Sequence, residues 1–269
     1  MFDRINHYGF MKRIAFVSVL FMLALASCAP EAGQPKVLAH RGFCTENGKV
    51  VTDENTLDAL IRAQQAHVDG IEFDVHLTAD DSLIIRHDNK ITDVLSCQTS
   101  KFADIRAHVL PFGHQIPTLQ EWLDQAMKTP EIPLAIEVKS HATLEREAEV
   151  VAGIIREVRL RGMEQQVKLL SFKPATCDEM LRQAPDIRVV LNANSLHHSL
   201  DPDEAAARGY YGVSYGIEVT LNHPEWIQRS RELGIETYFW MVDSRYLRDL
   251  GAELGVDWIT TDFYDLIRW

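Results

Sequence analysis

The chain has 269 residues, 46% of them hydrophobic and 25% charged, enough for one large α/β domain or two small ones with a sizeable core. Its formal charge of -12 argues against a nucleic-acid partner, because binding a phosphate backbone relies on Lys and Arg. An anionic small molecule would need cations placed locally instead.

Residues 11–28, MKRIAFVSVLFMLALASC, read as a bacterial export signal. Lys12 and Arg13 form its basic end, and the apolar run 14–25 is too short for a transmembrane helix. Met11 reads as the true start. Leu25-Ala26-Ser27-Cys28 matches a lipobox, so residues 1–27 are expected to be removed and Cys28 lipidated, with 28–35 as a short tether. The expected location is a bacterial membrane, facing the periplasm or the cell surface. Simple secretion after a small-residue site, or an uncleaved anchor, is the alternative. With Cys28 lipidated, Cys44, Cys97 and Cys177 remain, an odd count that leaves at least one thiol unpaired within the chain. Cys44 and Cys97 each follow a histidine of interest, and a disulfide between their loops is one expectation.

From Lys36 onward short apolar runs alternate with amphipathic stretches. Strands are expected at 36–39, 70–75, 133–138, 167–170, 188–191, 212–214, 237–240 and 258–260, with a further strand-like run at 82–86. Helices are expected at 56–66, 144–158, 175–183, 224–233, 245–254 and 264–268. Eight parallel units point to a closed (β/α)8 TIM barrel over 36–269, with its active site at the C-terminal ends of the strands. A doubly wound open sheet is the runner-up, but no glycine-rich phosphate loop of either nucleotide-binding type is present.

The second strand carries the first chemical signal. In Gly70-Ile71-Glu72-Phe73-Asp74-Val75 a period of two puts Glu72 and Asp74 on one face, where two carboxylates repel unless a cation lies between them. Glu137 and Lys139 share a face of the third strand, His40 and Arg41 follow the first, and His87-Asp88 ends the strand-like run. Ser171, Trp240 and Asp262 stand at other strand ends, Ser171 and Asp262 reading as structural or capping residues. Any one of these has an ordinary structural explanation; together they are hard to explain as packing. Glu72, Asp74 and Glu137 make a hard-oxygen site suited to Mg²⁺ or Ca²⁺, and no Cys or His cluster favours zinc. Arg41 and Lys139 supply the charge that stabilises a phosphoryl group, and His40 with His87 an acid and a base.

In this pattern the chain resembles the glycerophosphodiester phosphodiesterase family through most of its length beyond the signal. The markers are His40-Arg41-Gly42, Glu54-Asn55-Thr56, 69–75, His87-Asp88, Ile116-Pro117-Thr118-Leu119, Glu137-Val138-Lys139, Ser171-Phe172, Trp240 and Thr260-Thr261-Asp262. The resemblance implies a TIM barrel with a small insertion after the second strand, here 89–115. It implies one divalent cation on Glu72, Asp74 and Glu137, acid-base work by His40 and His87, and phosphate oxygens held by Arg41 and Lys139. By the same resemblance Glu54 sits at the metal or orients its ligands, and Trp240 lines a glycerol pocket. The substrate implied is a small glycerophosphodiester, opened by its own neighbouring hydroxyl to a cyclic phosphate and then to glycerol 3-phosphate. Two departures stand out: the segment between His40 and Glu54 is long and contains a decoy Glu46-Asn47, and 93–97 replaces the usual stretch after His87-Asp88. A phospholipase of the phosphatidylinositol-specific or sphingomyelinase D type is the second enzymatic reading. A tethered solute-binding lipoprotein is the non-enzymatic one. No feature points to a protein partner.

Overall fold

Along each long strand the residues that face inward alternate with those that face the surrounding helices, and this alternation closes the sheet into a barrel. The computed structural model describes residues 33–196 and 199–269; the expected signal and Cys28 lie outside the described residues. In chain order the elements begin with β1 (Lys36–Ala39), the small antiparallel pair β2 (Thr45–Glu46) and β3 (Lys49–Val50), α1 (Leu57–Gln65) and β4 (Gly70–Leu77). Next come β5 (Leu83–Ile85), α2 (Phe102–Ala107), α3 (Leu119–Ala126), β6 (Leu134–Val138), α4 (Leu144–Leu160), β7 (Val167–Ser171) and α5 (Pro174–Gln183). The chain continues through β8 (Arg188–Ala193), α6 (Pro202–Ala207), β9 (Gly212–Gly216), α7 (Ile217–Asn222), α8 (Glu225–Leu233), β10 (Glu236–Trp240), α9 (Arg245–Leu254), β11 (Trp258–Thr261) and α10 (Tyr264–Ile267).

The sheet runs β1-β11-β10-β9-β8-β7-β6-β4-β5, and β1 also pairs with β4, so eight parallel strands form a closed (β/α)8 barrel. All eight expected barrel strands are present. β5 is not one of them. It pairs antiparallel with β4, matching Leu77 to Leu83 and Val75 to Ile85, because β4 overshoots the barrel mouth and the chain folds back on it. Arg86 then donates its N–H to the Asp74 carbonyl at 3.1 Å, which returns the following residue, His87, to the level of the mouth.

Register fixes which side chains share the interior. Leu38, Ala135, Leu170, Val190, Tyr238 and Trp258 pack together inside the barrel, whereas Ile71, Phe73, Val75, Ile136 and Val138 join the larger core under the helices. Two residues further along four of these strands come His40, Glu137, Asn192 and Trp240. Gly70 leaves room for the interior here, since a Cβ would lie 2.8 Å from Leu38 Cδ2 and that side chain would have to shift. At the foot, Lys168 is bound by Glu236 Oε2 at 2.5 Å and by the Tyr238 hydroxyl at 2.6 Å, closing the barrel with a polar plug.

The segment between β5 and α3 has a small core of its own, Ile84, Cys97, Ile105, Leu110 and Ile116. That packing corrects the disulfide expectation. Cys97 is fully buried in this cluster, Cys44 is buried beside Asp262, and Cys44, Cys97 and Cys177 are all free thiols. Burial pushes the Cys44 thiol up to about 11 and the Cys97 thiol up to about 12, so neither is a ready nucleophile.

Candidate active site

The turn after β1 is built by its own sequence. Arg41 and Gly42 both adopt positive φ, 57° and 86°, and a Cβ at Gly42 would lie 2.8 Å from Ala59 Cβ on α1. Only glycine has both the freedom and the size for that position. The turn puts the Arg41 N–H 3.1 Å from Glu72 Oε2, and its carbonyl accepts from Asn55 N at 2.9 Å. Asn55, itself at φ 56°, donates from Nδ2 to Asp74 Oδ2 at 2.8 Å and accepts from Asp74 N at 3.3 Å. Thr56 then caps α1 by accepting from Ala59 N at 3.3 Å. The run Glu54-Asn55-Thr56 thus serves three partners in succession: Arg41, Asp74 and the helix.

Glu72, Asp74 and Glu137 converge in the mouth, each buried, with one carboxylate oxygen from each within 4.8 Å of the others. Asp74 and Glu137 are register partners on β4 and β6, which accounts for their approach. Lys139 Nζ lies 2.8 Å from Glu137 Oε1 and 3.3 Å from Asp74 Oδ1. Burial and the Asp74 charge push Glu72 up to about 8 and Glu137 up to about 7. Asp74 is held low against its burial by Lys139, His87, His40 and Arg41. Two of three clustered acids raised this far above the usual carboxylate range lack sufficient positive charge around them. Asp74 Oδ1 has only the Lys139 ammonium at 3.3 Å, Asn192 Oδ1 is buried with no hydrogen-bond partner, and Asn192 Nδ2 lies 3.5 Å from Glu137 Oε2. A buried all-oxygen donor set fits a hard divalent cation.

Of the two expected proton-transfer histidines, His40 lies against this cluster and His87 lies close enough to feel the Asp74 charge, and each donates from Nδ1 to an aspartate. His40 donates from Nδ1 to Asp262 Oδ1 at 2.6 Å, leaving Nε2 3.7 Å from Glu72 Oε2. His87 donates from Nδ1 to Asp88 Oδ1 at 2.8 Å, which likewise leaves Nε2 for other partners. Their environments differ. Burial works against protonation of His40, but Glu72 and Asp262 outweigh it and raise its pKa. For His87, burial, Lys139 and Arg41 outweigh Asp74 and lower it.

The other expected residues divide. Glu54 grips Arg41 Nη1 with both oxygens, at 3.1 and 3.0 Å, and does not belong to the carboxylate cluster; Asn55, its neighbour, is the residue that touches Asp74. The decoy Glu46 binds Arg62 on α1 instead. Trp240 stands at the end of β10 with its indole N–H on the Ser214 carbonyl at 3.0 Å and Phe172 edge-on at 5.6 Å, forming an aromatic wall. The Ser171 hydroxyl meets only backbone, 3.3 Å from Lys173 N. Asp262 is the residue that sequence reasoning undervalued. A strand-end Asp looks like a helix cap, and nothing in the local sequence shows that it faces His40, 222 residues away.

Residues 40–266 match the model of the glycerophosphoryl diester phosphodiesterase family. A glycerophosphodiester phosphodiesterase of Caldanaerobacter subterraneus subsp. tengcongensis is 27% identical over 242 residues, covering 84% of this chain and 93% of the relative. The crystal structure of a glycerophosphodiester phosphodiesterase from Parabacteroides distasonis superposes with a TM-score of 0.80 at 32% identity, covering 86% of this chain and 94% of that one. An Oleispira antarctica phosphodiesterase, solved in complex with its product sn-glycerol-3-phosphate, shares the fold with a TM-score of 0.71 at 19% identity, over 87% of this chain and 96% of that one.

Proposed function

The chain belongs to the glycerophosphoryl diester phosphodiesterase family and is a phosphoric diester hydrolase, and on that premise we propose how its residues carry out the reaction. The substrate is a glycerophosphodiester, cleaved to sn-glycerol 3-phosphate and an alcohol. Glu72, Asp74 and Glu137 hold one divalent cation, Mg²⁺ or Ca²⁺. When bound, the cation supplies a positive centre that draws charge from a phosphoryl oxygen.

Arg41 and Lys139 orient the phosphate. Glu54 engages Arg41 Nη1 with both oxygens and Asp74 Oδ2 lies 3.7 Å from its Nε, so the guanidinium is held in place at the edge of the carboxylate cluster. Trp240 and Phe172 flank the glycerol. The opposed pKa shifts divide the labour between the histidines. His87, the histidine whose pKa is lowered, takes the proton from the glycerol hydroxyl next to the ester as its oxygen attacks phosphorus. His40, the one whose pKa is raised, gives its Nε2 proton to the departing alkoxide, leaving a five-membered cyclic phosphate. Water then opens the ring with the roles reversed, His40 accepting a proton and His87 returning one. Each transfer is worth about 10² to 10⁴ in rate.

The observation that carries this reading is one buried carboxylate cluster with two Asp-tethered imidazoles, His40 against Glu72 and His87 within the field of Asp74. The solute-binding alternative falls with the family match. We also place the protein at a bacterial membrane through a lipid on Cys28. Pro35 is held at the foot of the barrel by the Trp269 indole, 3.1 Å from its carbonyl oxygen, so such a tether joins the end opposite the mouth. As the test, His40→Ala and His87→Ala should each lower turnover of glycerophosphocholine by at least about 10². EDTA should abolish turnover until a hard cation is restored. Near-normal activity in either variant, or full activity in a verified metal-free preparation, would sink the mechanism.

A further inference from the structure

Two histidines outside the proton-transfer pair, His76 and His141, are buried side by side behind the site with ring centroids 5.7 Å apart. His76 is two residues beyond Asp74 on the same face of β4, yet both its ring nitrogens are engaged elsewhere. Nε2 lies 3.1 Å from the His87 carbonyl oxygen and Nδ1 3.1 Å from Gln98 Nε2. Gln98 Nε2 is also 2.8 Å from the Ser140 carbonyl oxygen.

Those partners fix every proton. A carbonyl can only accept, so the end of Gln98 that faces Ser140 is the amide nitrogen, and its second hydrogen points to His76 Nδ1. His76 Nδ1 therefore accepts, Nε2 carries the proton, and that proton is donated to the His87 carbonyl. His141 repeats the logic on the other side. Leu77 N donates to its Nε2 at 3.2 Å, so its Nδ1–H donates to the Lys139 carbonyl at 2.8 Å. Two neutral imidazoles thus hold the backbone of two residues whose side chains enter the mouth.

His87 has particular need of this. It follows the last ladder bond of the β4–β5 hairpin, lies in no regular element, and its side chain is one-third exposed. We propose that His76, oriented by Gln98, is a positioning residue that fixes the His87 backbone so that its imidazole meets the substrate in a productive pose. The inference rests on the reading of His87 as a proton-transfer group. A misplacement of about 1 Å at such a group can cost about 10² in rate.

The test compares His76→Leu, which removes the donor, with His76→Gln, whose Nε2 can reach the same carbonyl. Turnover of glycerophosphocholine is measured at saturating cation, in the wild-type and His87→Ala backgrounds, with thermal melting and circular dichroism as folding controls. His76→Leu should lower kcat by at least about tenfold with KM within about twofold, and His76→Gln should recover to within about threefold of wild type. In the His87→Ala background His76→Leu should cost less than about twofold, because the group it positions is gone. If His76→Leu does not fold, Gln98→Ala, at a half-buried position, decides instead: a kcat loss of about threefold or more that vanishes in the His87→Ala background. A kcat loss of the same factor in both backgrounds, no loss at all, or a Gln variant no better than Leu would overturn the inference. Near-normal turnover by His87→Ala alone refutes the role of His87 first, and the inference with it.

Discussion

Replacing Asp262 by Asn tests the least expected part of the site. The Asp262 carboxylate takes the His40 Nδ1 proton at 2.6 Å, and an Asn oxygen can accept the same bond, so the ring stays oriented while the charge is lost. A hydrogen bond to a charged group is worth about 1.5 to 3 kcal/mol, against about 0.5 to 1.5 for a neutral one. Asp262 is 41% exposed, so solvent screening puts the difference at the lower end, about 1 kcal/mol. In rate that is about fivefold, provided the His40 imidazolium is the proton donor. The pH dependence has a definite sign. Asp262 and Glu72 raise the pKa of His40 against its burial, so removing the Asp262 charge lowers it. The alkaline limb of the kcat/KM profile should then move to lower pH, while the acid limb, set by His87, stays where it was. Initial rates with glycerophosphocholine from pH 5 to 10, for wild type and Asp262→Asn, are the assay. A profile that superimposes on wild type, or a moved acid limb with a fixed alkaline one, would refute the assignment of His40 as the acid.

Cation affinity should depend on pH. Glu72 and Glu137, raised to about 8 and about 7, hold protons below neutrality that a cation must displace. Calorimetry should therefore find Mg²⁺ or Ca²⁺ binding weakest near pH 6, strengthening toward pH 8.5 with proton release; affinity flat over that range would contradict the carboxylate site. Gly42→Ala should destabilise the protein by about 2 to 4 kcal/mol in chemical denaturation, from overpacking against Ala59 and a φ that alanine resists. A loss under about 1 kcal/mol would mean that α1 moves aside freely.

Periodicity made the barrel legible, because each of its strands carries an apolar face directed at the helices. It also made Glu72 and Asp74 legible as a pair, since two residues on one strand face need no tertiary information. The distant partners were not legible. Asp262 meets His40 only because β11 closes beside β1, and Glu54 reaches Arg41 while the bend at Asn55 presents its own amide to Asp74. The disulfide expectation failed for a related reason. Loops that both follow histidines looked adjacent, but Cys97 turns into the apolar cluster under the insertion. His76 lies beyond the expected end of its strand, and the carbonyls around it show that it holds backbone.

The central claim is hydrolysis in which the glycerol hydroxyl and two histidines act around one cation. Phosphorus NMR of the purified protein turning over glycerophosphocholine with Mg²⁺ or Ca²⁺ tests it most directly. The account predicts a transient resonance of the five-membered cyclic phosphate, followed by sn-glycerol 3-phosphate with release of choline. Choline phosphate and free glycerol as the products would contradict it.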